Sequence, residues 1–175
     1  TKGISNEEHV EELRDILECT LSIEALNSSG EKYFTRTELA CIHDFAAHTI
    51  GKEQIKSKRI LEEICKDALD KEFTCASLYM YEMHINRIAC MYGDEGKYEK
   101  SNQLSDKLLK ECLYNKKMNA LSGCLYNNLW NQQQLVKEID TNIIKRMFKK
   151  CYLLSDIARE DSWKDFFQQK LNDFK

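Results

Sequence analysis

Not one of the 175 residues is proline, although average usage near 5% would place roughly nine in a chain of this length. Glycine is scarce too, at six. Proline removes a backbone donor and clashes inside helices, and glycine weakens them through backbone entropy, so avoiding both favours helices joined by tight turns. No segment shows sustained period-two alternation, so no sheet is predicted. The expected class is all-α.

The apolar periodicity marks out about eight helices in one domain spanning 1–175. Ser5-Asn6-Glu7-Glu8 reads as a capping box opening the first, which carries Val10, Leu13, Leu17 and Leu21 on one stripe and stops at Asn27-Ser28-Ser29-Gly30. Thr35-Arg36-Thr37-Glu38 opens the second, through Leu39, Ile42, Ala46 and Ile50, which Gly51 ends. A third holds Ser57, Ile60, Leu61, Ile64, Ala68 and Leu69 on one side. Helices are then expected over about 74–92, 97–113, 118–135 and 140–158, with Asn115-Lys116-Lys117 as a polar break. The closing helix presents Trp163, Phe166, Phe167, Leu171 and Phe174. Connections of two to six residues suit antiparallel neighbours.

Charge excludes some functions. The formal net charge is −3, which gives no electrostatic footprint for nucleic acid. The eight cysteines form no CxxC pair, and Cys65, Cys112 and Cys151 fall on the apolar phase of their helices. Free thiols buried as small hydrophobes are expected, in a cytoplasmic, reduced compartment. No apolar run approaches the length of a membrane span. Cys41-Ile42-His43 with His48 does not put ligands on one helix face, so no metal is expected. Neither a nucleophile signature nor a phosphate-cradling glycine loop is present, and the expectation is a non-enzyme without cofactor.

Two stretches look like variants of one helical hairpin. In the clearer, Ile85 to Tyr92 leads into a Gly93-Asp94-Glu95-Gly96 turn and a second helix from Lys97-Tyr98, carrying Leu104, Leu108 and Cys112. The other begins at Tyr126-Asn127-Asn128-Leu129-Trp130, with Asn127 following Asn86 by 41 residues (127 − 86). His43-Asp44-Phe45-Ala46 stands at the corresponding place in a weaker first copy. A period of roughly 34 to 47 residues is the mark of stacked helix pairs, which usually bind ligands in a concave groove.

The run Ile85 to Ser101 resembles a tetratricopeptide repeat. Ile88 and Ala89 stand at its Leu-Gly positions, Tyr92 and Tyr98 at its aromatics and Gly96 at its turn glycine, while Ser101 replaces the usual alanine. In the next copy Trp130 replaces the small residue and Lys137 the turn glycine. The resemblance implies a right-handed superhelix of antiparallel helices. Three further runs extend the likeness over nearly all of the chain: Glu24-Ala25-Leu26-Asn27 with Tyr33 to Leu39, Leu125 to Asn131, and Cys151 to Asp156. Together they resemble the C-terminal helical domain of Firmicute-type helix-turn-helix regulators of the Xre, Rgg and PlcR kind.

That resemblance implies a sensor and dimerisation domain which binds a short peptide or protein segment and reaches DNA only through a separate domain, absent from this chain. Asn86 and Asn127 then occupy a groove-facing position, where an amide could bond an extended peptide's backbone. His43 and Asn131 complete the candidate ligand set, and the alternative for the asparagines is a structural tie between neighbouring helices. Trp163, Phe167 and Phe174 are candidate homodimer contacts, or else the cap that a repeat array needs at its end. The rival function is a stand-alone scaffold or adaptor array with a protein partner.

Overall fold

The computed structural model describes residues 6–20, 36–49, 51–66, 69, 75–115, 120–136 and 138–174. Among them are eight helices and no strand: α1 (Asn6–Thr20), α2 (Arg36–His48), α3 (Gly51–Ile64), α4 (Cys75–Asp94), α5 (Tyr98–Tyr114), α6 (Leu121–Leu135), α7 (Thr141–Ala158) and α8 (Asp161–Asn172). The expected cap residues Ser5 and Thr35, the Asn27–Gly30 stop, Leu21, Ile50, Ala68 and the Lys116-Lys117 break lie outside the described residues, as does the side chain of Cys75. The helices group into two compact units, residues 1–70 and 71–175.

In the first unit α1 packs on α2, and α2 on α3. Val10, Leu13 and Leu17 of α1, Leu39, Ile42, Phe45 and Ala46 of α2, and Ile60 and Leu61 of α3 are buried, as the 3.6-residue periodicity requires. At the end of α2 the His48 Nδ1 donates to the Asp44 carbonyl at 2.8 Å. Its ring meets His9 of α1 edge to face, with 4.9 Å between centroids.

In the second unit each helix packs on the next, and α4 also touches α6. The turn after α4 lies one residue pair later than expected: Gly93 and Asp94 are helical, and only Glu95 and Gly96 form the turn. Gly96 adopts φ +74°, Lys97 N–H bonds the Tyr92 carbonyl and Gly96 N–H the Gly93 carbonyl, both at 2.8 Å. This is a Schellman close, in which glycine accepts the left-handed backbone without a Cβ penalty. The end of α7 is built alike, with Arg159 at φ 58° and Glu160 N–H on the Ser155 carbonyl at 2.9 Å. Asp140 caps the start of α7, accepting from the Asn142 N–H at 2.8 Å.

A cluster of Leu129, Phe148, Cys151 and Phe167 forms one part of this unit's core, and Tyr126, Trp163, Phe166 and Phe174 pack against it. Trp163 stacks on Phe167 at 5.4 Å between centroids, and Tyr126 meets the Phe167 ring at 5.6 Å. The Phe167 side chain is 0% exposed. The ring is thus enclosed by its own unit, the surroundings that the capping alternative calls for, with α8 laying its apolar face over α6 and α7. Trp163 and Phe174 keep partial exposure around it.

Candidate functional site

The groove asparagines lead to a buried polar joint among α4, α5 and α6. Its centre is Ser101, which is fully buried near the start of α5. The Ser101 hydroxyl donates to the Ala89 carbonyl of α4 at 2.6 Å. The same oxygen accepts from Asn127 Nδ2 at 3.0 Å and from Asn131 Nδ2 at 2.8 Å, both on α6. A hydroxyl has one hydrogen and two lone pairs, and all three are used. Asn127 also donates to Ser105 Oγ at 2.7 Å, and Asn131 to Asn102 Oδ1 at 2.8 Å. Ser101, standing where the repeat usually has alanine, thus supplies the oxygen through which three helices are joined.

Two glycines make room for this joint. A β-carbon at Gly93 of α4 would lie 2.8 Å from Asn131 Oδ1 and 3.2 Å from the Trp130 ring. One at Gly123 of α6 would lie 2.8 Å from Asn86 Nδ2. Each helix thus lays an asparagine over a glycine of the other. The contacts pair residue 86 with 123 and 93 with 131, separations of 37 (123 − 86) and 38 (131 − 93), so α4 and α6 run parallel.

The sequence singled out Asn86, Asn127, Asn131 and His43 as ligand contacts, and the structure gives them different surroundings. Asn127 is 5% exposed and Asn131 0%; the Nδ2 of each makes two bonds to α5, the contacts that the helix-tying alternative calls for, while Asn131 Oδ1 is buried against Gly93 without a hydrogen-bond partner. Asn86 is half-buried and faces the following hairpin, where its Oδ1 accepts weakly from Cys124 Sγ at 3.5 Å. Asn86 and Asn127 therefore point in different directions, one toward the next helix pair and the other back at the previous one. His43 is half-buried on α2 of the first unit. The sequence reading gave Gly93 to the turn and passed over Ser105 and Gly123, yet for the serines a signal was present. Serines four apart on α5, at the apolar phase of Leu108 and Cys112, match asparagines four apart on α6.

A second polar contact joins the start of α6 to the turn before α8, where Ser122 Oγ donates to Glu160 Oε2 at 3.0 Å. Burial pushes the Glu160 carboxyl above the usual carboxylate range, the Ser122 bond opposes that shift, and the Glu82 carboxylate adds to it. Four buried or half-buried thiols, Cys65, Cys90, Cys124 and Cys151, are chemically quiet. Burial raises Cys65 and Cys151 to about 12 and Cys90 to about 11, the latter against the nearby Arg87. Thiolate, the nucleophilic and metal-binding form, is scarce at neutral pH for such groups. Among the described residues no group of three or more His, Cys, Asp or Glu side chains could hold a metal ion. None of the described helices is long and apolar enough to cross a membrane. Comparison with protein-family models, with curated proteins and with solved structures finds no match.

Proposed function

We propose that this chain is a non-catalytic, tetratricopeptide-like sensing and dimerisation domain of a cytoplasmic transcriptional regulator. The observation that carries the proposal is the parallel contact of α4 with α6, made through Asn86 on Gly123 and Asn131 on Gly93. In a stack of antiparallel hairpins, first helices that touch in parallel line one common surface, which is how helical repeats build a groove. The asparagines at 127 and 131 hold that surface together instead of reading a ligand, so within this unit the recognition expected of the groove falls to half-buried side chains such as Asn86. Ligand binding shifts the domain between two arrangements only by its differential affinity for them, and a joint as specific as the one at Ser101 gives the stack a defined arrangement to shift from.

The test is a thermal-shift screen of short apolar peptides. A peptide present at about 100 times its dissociation constant adds about 2.7 kcal/mol to folding stability, which is easily read as a rise in Tm. A saturable rise that Asn86→Ala abolishes without altering the Tm of the peptide-free protein supports the sensor. Binding to a folded protein partner, with no response to any peptide, supports the scaffold instead.

A further inference from the structure

The side of α7 that faces away from the core is neither polar nor neutral. Phe148, Cys151 and Ser155 mark its buried side. At 3.6 residues per turn, the positions opposite are Ile143, Arg146, Lys150, Leu153 and Ile157. All five are exposed, the aliphatic ones at 46%, 48% and 64%. Their alternating spacing of three and four residues is that of a helix seam meant for another helix. Lys145 and Lys149 lie exposed to one side. The one acid on α7, Asp156, is bound by Lys164 of α8 at 2.5 Å. The first half of the stripe is therefore positive, through Arg146 and Lys150 with Lys145 and Lys149 beside them, and two such stripes laid in register would repel.

Helix α1 carries the opposite pattern. Val10, Leu13 and Leu17 are buried, while Glu11, Glu12, Asp15 and Glu18 are exposed on the outer side. Ile16, 49% exposed, lies at the border of that acidic face. One chain thus displays an acidic helix face and a basic helix face, each open.

We propose that the dimer forms by docking α1 of one copy on the outward face of α7 of a second copy. In a two-fold dimer each copy supplies α1 to the other's α7. This rests on the dimerisation part of the proposed function and supplies the surface that Phe167, being buried, does not. Arg146 and Lys150 lie at the centre of the stripe, between the aliphatic side chains. A helix seated on a lipid surface keeps its bases at the border of an apolar centre, and a nucleic-acid backbone would press phosphates onto Ile143, Leu153 and Ile157. Helix α1 sets carboxylates against the bases and brings Ile16, an exposed aliphatic at the border of its acidic face, to the aliphatic positions, which a phosphate backbone lacks.

Sedimentation of the full chain tests this. The wild type should dimerise, with a dissociation constant that rises about tenfold or more when NaCl goes from about 0.05 to about 0.5 M. Arg146→Glu with Lys150→Glu should raise it at least about tenfold at low salt, as should Glu12→Lys with Asp15→Lys. Combining all four reversals should restore it to within about threefold of wild type. These are exposed positions, and circular dichroism should show unchanged helicity. A wild type that stays monomeric removes the dimer and the docking together. A dimer indifferent to salt and to the reversals leaves the dimer standing and overturns the docking. Recovery failing in the combined variant also overturns it, as does an unaltered dimer whose bases instead bind phosphatidylserine vesicles.

Discussion

Asn131 lies over Gly93, its Oδ1 2.8 Å from where a β-carbon would stand, while its Nδ2 holds Ser101 at 2.8 Å. The close approach of α4 and α6 and the bonding of α6 to α5 are thus one feature. Gly123 opposes Asn86 at the same nominal distance, but Asn86 is half-buried and only weakly tied by Cys124.

The two glycines should respond differently to alanine. Gly93→Ala presses on an amide whose Nδ2 is held by Ser101 and Asn102 and on the Trp130 ring, so a loss of about 1–3 kcal/mol is expected. Gly123→Ala can turn the end of Asn86 aside and gains up to about 1 kcal/mol of helix propensity, so its net change should stay within about 1 kcal/mol. Urea unfolding of both variants checks the contrast. Equal losses would mean that Asn86 is held as firmly as Asn131.

Glu160 should make stability depend on pH. Its carboxyl titrates above the usual carboxylate range in the folded protein, so between the unfolded and folded values the native state binds more protons than the unfolded chain. The stabilising contribution of protonated Glu160 is then complete below the unfolded value and is lost as pH rises through the folded one. Glu160→Gln keeps an acceptor for Ser122 and removes the charge beside Glu82. Its Tm should exceed that of wild type at pH 7, and the difference should vanish near pH 4, on the order of the unperturbed glutamate value. A lower Tm at pH 7 would show that the carboxylate serves the start of α8 more than burial penalises it.

Phe167→Ala should act on folding before it acts on association. Removing a fully buried ring from the cluster with Leu129 and Phe148 should cost about 3–5 kcal/mol. Denaturant titration of the monomer at high dilution reads this directly. A stable variant with only weakened self-association would return Phe167 to the interface.

Much of this architecture was legible in the sequence because helix periodicity and turn chemistry are local. Gly96 marks the turn that closes α4, although the helix runs on through Gly93 and Asp94, and the apolar phase of Leu108 and Cys112 correctly places the buried side of α5. The surroundings of the asparagines were not legible in the same way. A 41-residue offset aligns Asn86 with Asn127 along their helices but carries no information about rotation, and the contacts follow offsets of 37 and 38. Phe167 was ambiguous for a different reason. A ring that caps an array and a ring that meets a partner satisfy the same apolar preference, and only the packing of Trp163 and Tyr126 around it distinguishes them.

The joint at Ser101 is tested most directly by a double-mutant cycle with Asn127. Ser101→Ala, the substitution that would bring this position to the usual repeat residue, strands buried amide hydrogens on Asn127 and Asn131, each costing about 1–3 kcal/mol. Asn127→Ala alone should also lower the Tm of the ligand-free protein. Because both changes break one shared network, the double variant should be less destabilised than the sum of the singles, with a coupling of about 0.5–3 kcal/mol from equilibrium unfolding. Strict additivity, or an Asn127→Ala protein as stable as wild type, would contradict the account and return Asn127 to the groove.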